Sequence, residues 1–283
     1  MPEAEPPTEF GLPTDAHRGP IVRPANRSRD AGSGIHDDST AQAVGFRGGT
    51  VAGNIHLDHF PPLLVDRFGP AWFERGVVSM YFREPTMHLE PVQVMVGHGD
   101  LARACLVTPQ GTLVAEGVAG IGDYPAVGPV RSRDRRATDV AELDLLADLP
   151  VDEPIDVGTT SVRLERQHWL LEDRERLPLP LEWYAKESPW GPPIACPSIA
   201  VDALWRNFEK TLRPFVKPAV GLYGAIELHH RGAPLLAGVD YELTGQVTDV
   251  SQSPRTEIFW AETTAALDGV PQASLVMMIR LLR

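Results

Sequence analysis

The spacing of apolar residues changes character several times along the chain. Between positions 51 and 68 they fall at Val51, Ile55, Leu57, Phe60, Leu63, Leu64, Val65 and Phe68. That is largely a helical period, with so little polar surface that other structure must wrap it. Pro61 and Pro62 predict a kink or break, and Gly69-Pro70 ends the run. A shorter helical run at 39–44 precedes it, separated by a glycine-rich turn at 45–53. From position 77 the period becomes two. Stretches 77–82, 92–96, 101–107 and 112–121 read as strands, with Pro109-Gln110-Gly111 as a tight hairpin turn. The order is therefore helix first, then an antiparallel meander.

The same order recurs downstream. A strand is expected at 157–164. A helix follows at 197–215, with Ile199, Val201, Leu204, Trp205, Phe208 and Leu212 along one face, then strands at 223–229, 241–250, 256–264 and 275–282. The halves can be overlaid. Gly49-Thr50-Val51-Ala52-Gly53 matches Pro192-Pro193-Ile194-Ala195-Cys196, and both halves hold a strand ending in Arg (Arg83, Arg231), a Pro loop and a new strand. The pattern predicts duplication of a unit of roughly 110–130 residues. Residues 1–19, rich in Pro, Glu and Thr, read as a disordered or loosely docked tail. Residues 20–125 form the first unit, with a short entering strand expected at 20–26 around Ile21 and Val22. Residues 126–156, basic then acidic, read as a solvated linker, and 157–283 as the second unit with a charged, irregular insert at 168–181.

Composition narrows the classes. The 283 residues are 43% hydrophobic, enough for a real core. The net charge of -12 argues against a non-specific nucleic-acid binder, since phosphates need a basic surface. Lysine occurs only at 186, 210 and 217, so arginine supplies nearly all positive charge. Cys105 and Cys196 lie too far apart to suggest a disulfide framework. No apolar run approaches the length of about 20 residues that crosses a membrane, and the first residues lack a signal-peptide pattern. The expectation is a soluble cytoplasmic protein.

The chemistry gathers in residues 33–60. His36, Asp37 and Asp38 sit in a loop, and a helix opens at Gly53-Asn54 after the glycine-rich turn. Free amides at a helix start can hold an oxygen that becomes negative, and an imidazole nearby can move a proton at neutral pH. The pair suits chemistry beside a polarised carbonyl such as a thioester. Asp38 reads equally well as the N-cap of the short helix. His56 and His59, three apart on one helical side, suit the polar lining of a substrate cavity better than a metal site, which two histidines and Asp58 do not complete.

One long helix followed by a meander, present twice, resembles the α+β double hot-dog proteins, in which two antiparallel sheets each wrap a central helix. The run IHDDSTAQAVGFRGGTVAGN resembles the MaoC-like, R-specific enoyl hydratase/dehydratase family. That family's motif reads D-x-N-P-hydrophobic-H-x-D, then Ala, then Phe-x-x-x-hydrophobic-x-x-Gly. Here Ile35 to Asp38 supply the hydrophobic-H-x-D part, Ala41 or Ala43 the alanine, and Phe46 through Gly53 the rest. The resemblance implies His36 as acid/base and the Gly53 amide as oxyanion donor. It also implies an acyl thioester of coenzyme A or acyl carrier protein as substrate, no cofactor, no nucleic-acid or membrane partner, and a possible homodimer. The family's catalytic aspartate stands five residues before the histidine, where this chain has Ala31; Asp30 is one residue off, and Ser33-Gly34 replaces Asn-Pro. Asp30 and Asp38 are thus the candidate partners of His36. Asn54, His56 and His59, with Tyr184, Glu187 and Trp190 where the second half's site falls, are the candidate substrate-binding residues. The rival readings are a thioesterase, cyclase or isomerase on the same scaffold, and a non-catalytic acyl-binding protein.

Overall fold

The computed structural model describes residues 8–29, 34–122, 138–167 and 182–283. Asp30 and Ala31, the basic run near 131–136 and the insert at 168–181 lie outside the described residues. Ten strands form one sheet. The first unit supplies β3 (His17–Val22), β4 (Gly76–Phe82), β5 (Val92–Val96), β6 (Leu101–Val107) and β7 (Leu113–Ile121). The second supplies β8 (Ile155–Ser161), β9 (Val220–His230), β10 (Asp240–Gln252), β11 (Thr256–Leu267) and β12 (Val270–Leu282). The order across the sheet is β3-β5-β6-β7-β4-β9-β12-β11-β10-β8, so each unit arranges its strands identically and the two meet at β4 and β9. The seam is antiparallel and runs from Val77 opposite His229 to Tyr81 opposite Ala225. The two five-stranded sheets are thus joined edge to edge, which hides an edge that each would otherwise expose.

The first helical run divides, as its prolines dictate. α1 (Asp38–Ala43) is the short helix, and α2 (Gly53–Leu57) and α3 (Pro61–Phe68) share the long one. Pro61 and Pro62 stand at the start of α3, where a missing N–H costs least. α4 (Trp72–Arg75) then leads into β4. The second unit keeps one uninterrupted helix, α5 (Pro197–Leu212), again with proline in its first turn. Its apolar stripe of Val201, Leu204, Trp205, Phe208 and Leu212 is buried in the main core. Gly245 on β10 lets α5 come close, because a Cβ there would stand 2.5 Å from the Phe208 ring. Among the described residues no helix is long and apolar enough to cross a membrane.

Two expectations change. The tail contributes structure from residue 8: β1 (Thr8–Glu9) and β2 (Leu12–Pro13) pair, Leu12 is fully buried, and the first sheet strand is His17–Val22, earlier than the 20–26 expected. A single leucine, clustered with Ala16, Met95, Cys105 and Val107, docks the hairpin, a signal too short to read as periodic. The described end of the connector is also packed. Leu143, Leu146 and Leu149 enter the main core, and Glu257, fully buried on β11, holds this segment. Its carboxylate accepts the Asp144, Leu145 and Leu146 amides at 2.9, 2.9 and 3.1 Å and pairs with Arg283 at 3.0 Å. Acidic sequence around the leucines masks this apolar contact.

Removing that carboxylate strands three amides and a guanidinium. Glu257→Ala is expected to cost about 3 kcal/mol or more in chemical denaturation. A loss under about 1 kcal/mol contradicts the anchoring role.

Candidate functional site

The seam between the units ends before the strands do. β4 stops at Phe82, one residue past its last partner, whereas β9 starts at Val220, before its partnered Ala225. A cavity of about 590 Å³ opens where the strands part. The first unit walls it with His36, Gly53, His56 and Phe82, and the second with Trp205, Leu212, Tyr223, Phe259 and Leu281. A mostly apolar cleft of this size, with a few convergent polar groups, is the usual form of a small-molecule site.

The loop carrying His36 is fastened at several points. Asp37, not Asp38, is the N-cap of α1; its Oδ1 accepts the Thr40 amide at 2.9 Å. Bonds from Ser39 and Thr40 hold its pKa below the ordinary carboxylate value. Asp38 begins the helix proper and accepts the Gly49 amide at 2.7 Å, fixing the glycine-rich turn against α1. Asn26 donates to the His36 carbonyl at 2.8 Å, and the Thr50 amide to the Ile35 carbonyl at 3.0 Å. Gly49 is required here, because a Cβ would stand 2.1 Å from the His36 oxygen. The His36 ring is then oriented by one bond, Nδ1 to the Thr50 carbonyl at 2.8 Å. A carbonyl only accepts, so Nδ1 carries the hydrogen and Nε2 is the basic nitrogen of the neutral ring. Nε2 has no partner among the described residues.

Three residues beyond Thr50 the chain enters α2. The Val51 amide donates to Thr86 at 2.9 Å, Ala52 is an N-cap without a side-chain bond, and Gly53 follows at the first helical position. No described group accepts the Gly53 amide, as expected of a first-turn donor. The Phe82 ring lies over Gly53 so closely that a Cβ would meet it at 2.8 Å. His56, one turn along, bonds Thr86 Oγ1 through Nε2 at 2.8 Å; burial lowers its pKa to about 4 and keeps it neutral. The cavity wall thus holds both an oriented imidazole and a helix start.

The equivalent position in the second unit is closed. There the Ala195 amide donates to Leu235 at 2.8 Å and the Ile194 amide to Trp183 at 2.9 Å, in the manner of Val51 and Thr50. Bridges join Ile194 to Leu236 as Thr50 joins Met87. This aligns Ala195 with Val51 and Pro197 with Gly53, one residue away from the overlay drawn on the sequence, where similar small apolar residues leave the register open. Proline has no amide hydrogen, so the second helix start offers none at the position of Gly53. Tyr184 falls opposite His36 and is fully buried. Gln167 takes over the histidine's carbonyl bond, donating to Ile194 at 2.8 Å and to Tyr184 at 2.6 Å while accepting the Cys196 amide at 2.8 Å. Phe73, edge-on to Trp72, contacts the rings of Trp183, Tyr184, Trp190 and His230, filling the space.

The helix starts are linked through Asp58. Its Oδ1 accepts the Ser198 amide at 2.8 Å, capping α5 in place of the missing cap at Cys196, and Asn54 donates to the Ser198 carbonyl at 3.3 Å. Asp58 is fully buried, and desolvation raises its pKa to about 7 against the opposing bond from Ser198. His59 stands edge-on to His56 at 5.9 Å, and burial holds it well below its ordinary pKa. His230 is lowered to about 3 for the same reason.

Of the candidate residues, the cavity wall holds His36, Gly53 and His56. Asp30 lies outside the described residues. Asp38 is bound into the turn, Asn54 faces α5, and His59 and Tyr184 are buried behind the wall. Trp190 belongs to the aromatic fill, and Glu187 is exposed beside it. These corrections share one cause: a helix turn places some side chains toward a cavity and others into the core, and composition does not reveal which. The reading missed the wall given by α5, β9 and β12, and the Thr50 carbonyl, which as a main-chain group has no sequence signal.

No family model and no curated protein matches the chain. Solved structures do. A protein assigned as a MaoC domain dehydratase from Chloroflexus aurantiacus J-10-fl is similar over 100% of both chains, at 13% identity and TM-score 0.61. RV0216 of Mycobacterium tuberculosis, described as having a double hot-dog fold, is similar over 97% of this chain and 100% of its own, at 10% identity and TM-score 0.62. A MaoC-like dehydratase is similar over 95% of this chain and 98% of its own, at 15% identity and TM-score 0.55. The chain has the double hot-dog fold.

Asp58 sets a pH dependence with a defined sign. Its pKa is higher folded, about 7, than the ordinary 3.8, so between those values the folded state binds more protons and stability falls as pH rises. Asp58→Asn keeps an acceptor for Ser198 without the buried charge. Its stability relative to the parent is expected to improve steadily from pH 4 to pH 7, by up to about 4 kcal/mol, and then level off. Denaturation at a series of pH values measures it. A constant difference across the range contradicts the assignment, and the buried histidines, common to both proteins, cancel in the comparison.

Proposed function

We propose that the protein is an acyl-thioester hydratase or dehydratase, interconverting a 3-hydroxyacyl thioester and the 2-enoyl thioester plus water. The observation carrying this reading is the His36 Nδ1 bond to the Thr50 carbonyl, which leaves a basic Nε2 in the same cavity as the start of α2. In the dehydration direction, a thioester oxygen held by the Gly53 amide makes the α-carbon acidic. His36 Nε2 takes the α-proton, and the electrons of that C–H bond pass to the thioester as an enolate. They return to form the double bond as the β-carbon releases hydroxyl, and the imidazolium gives its proton to that oxygen. Water leaves and the ring is neutral again, so one imidazole serves both transfers on one face. This economy fits a loop whose described carboxylates, Asp37 and Asp38, are committed to backbone amides. The reading extends to a thioester of coenzyme A or acyl carrier protein, and to a cytoplasmic homodimer.

The test follows 2-enoyl absorbance and free thiol with a panel of 3-hydroxyacyl and 2-enoyl thioesters. His36→Ala is expected to lower kcat by about 10²–10⁴-fold without loss of folding. Full turnover by that variant rejects the reading. Thiol release without change at the double bond replaces it with a thioesterase, and binding without turnover replaces it with a carrier of acyl ligands.

A further inference from the structure

The second unit's side of the cavity is mainly apolar, with Trp205, Leu212, Val216, Leu222, Phe259, Ile279 and Leu281 on its wall, yet charges stand among them. On this side Lys217 pairs with Asp144 at 2.6 Å and Arg280 donates to the Tyr81 hydroxyl; across the cavity Arg83 of the first unit pairs with Glu116 at 2.8 Å. Glu209 and Tyr223 differ. Both line the cavity: the Tyr223 hydroxyl has no hydrogen bond among the described residues, the Glu209 carboxylate is met only by the Trp205 indole and keeps acceptor capacity to spare, and the Glu209 charge acts on the Tyr223 hydroxyl. Glu209 stands on the last turns of α5, and Tyr223 on the stretch of β9 beyond the seam.

We infer that Glu209 and Tyr223 form a polar station that takes a hydrogen-bond donor, a hydroxyl or an amide N–H, on the ligand beyond its thioester. An alkyl chain laid over this wall strips water from a carboxylate and a phenol and returns no bond to either. A ligand with a donor there pairs with the carboxylate, while the phenol can donate or accept. The surrounding electrostatics agree. Glu209 is exposed, and partial desolvation against the cavity wall raises its pKa; Arg213 one turn on, Lys210 and the Trp205 indole oppose this, and Asp202 adds to it. Burial, followed by Glu209 and Asp202, pushes the Tyr223 hydroxyl well up, with Arg166 opposing, so it remains a proton donor. Asp202 itself is bound to Arg163, Arg166 and Arg206 and is not free to take the ligand.

The donor can come from the acyl group or from the pantetheine arm of the carrier, and the inference rests on the thioester reading above. The experiment therefore compares matched ligands. One pair has 3-hydroxyacyl N-acetylcysteamine thioesters ending in methyl or hydroxyl, and the other has one plain acyl group on N-acetylcysteamine or on pantetheine. Turnover is measured as kcat/KM, and binding of the corresponding unreactive thioethers by calorimetry. The donor-bearing member is expected to be favoured at least about tenfold in one pair, and which pair identifies the source. Glu209→Leu and the milder Tyr223→Phe are each expected to shrink that ratio several-fold. Equal affinities in both pairs, or a ratio unchanged in both variants, overturns the inference. His36→Ala separates the two readings: binding preference without turnover leaves both standing, whereas retained turnover removes only the hydratase mechanism.

Discussion

The behaviour of the site depends on a single main-chain acceptor, the Thr50 carbonyl. An imidazole in a loop can present either nitrogen and rotate between them. Bound at Nδ1 to a group that only accepts, it has one tautomer when neutral and one orientation. The surrounding bonds keep that acceptor in place: Asp38 holds the glycine turn, Asn26 the His36 carbonyl, and the Thr50 and Val51 amides tie the loop to Ile35 and Thr86. Because Thr50 is three residues from Gly53, these bonds fix the distance between the proton-transfer group and the helix start as well. The α2 geometry and the imidazole orientation are consequences of one short, crowded loop.

The repeated architecture then creates two such locations, and one of them is open. The same backbone pattern leads into α5, but there proline replaces the glycine, tyrosine the histidine and glutamine the ring's bond to the carbonyl. Trp72 and Phe73, from the first unit, occupy the space a second cavity would need. The units also exchange services. The first gives Asp58 to cap the second unit's helix, and the second gives α5, β9 and β12 to wall the first unit's cavity. Neither unit alone supplies the whole cavity wall, so the division suggested by the repeat is one of packing, not of independent function.

The interface between the units buries several polar groups, including Asp58, His56, His59 and Tyr184. Buried groups of this kind tend to lower stability unless fully bonded. Their position immediately behind α2 fits a common compromise, in which the ground next to a site is less stable than an apolar core would be. The apolar mass that offsets it lies elsewhere, in the stripe of α5 and the strands it covers.

Much of the fold was legible in the chain. The switch from period 3.6 to period two, met twice, located the strands and α5 to within a few residues, because side-chain direction repeats with backbone geometry. The break before Pro61 and the turn at Gly111 followed from local sterics. His36 and Gly53 stood out because the residues around them are dense in glycine, acid and imidazole. What the sequence determined, then, is what neighbours along the chain can determine: element type, order, repetition, and a loop able to hold a histidine near a helix start. Only the tertiary structure decided that the two sheets share a seam, that the seam parts beyond Tyr81, and that Glu209, Tyr223 and Phe259 line one cavity with His36. Those residues lie more than 160 positions away, and their approach is set by how two whole units pack, a sum over many weak contacts that no short stretch encodes.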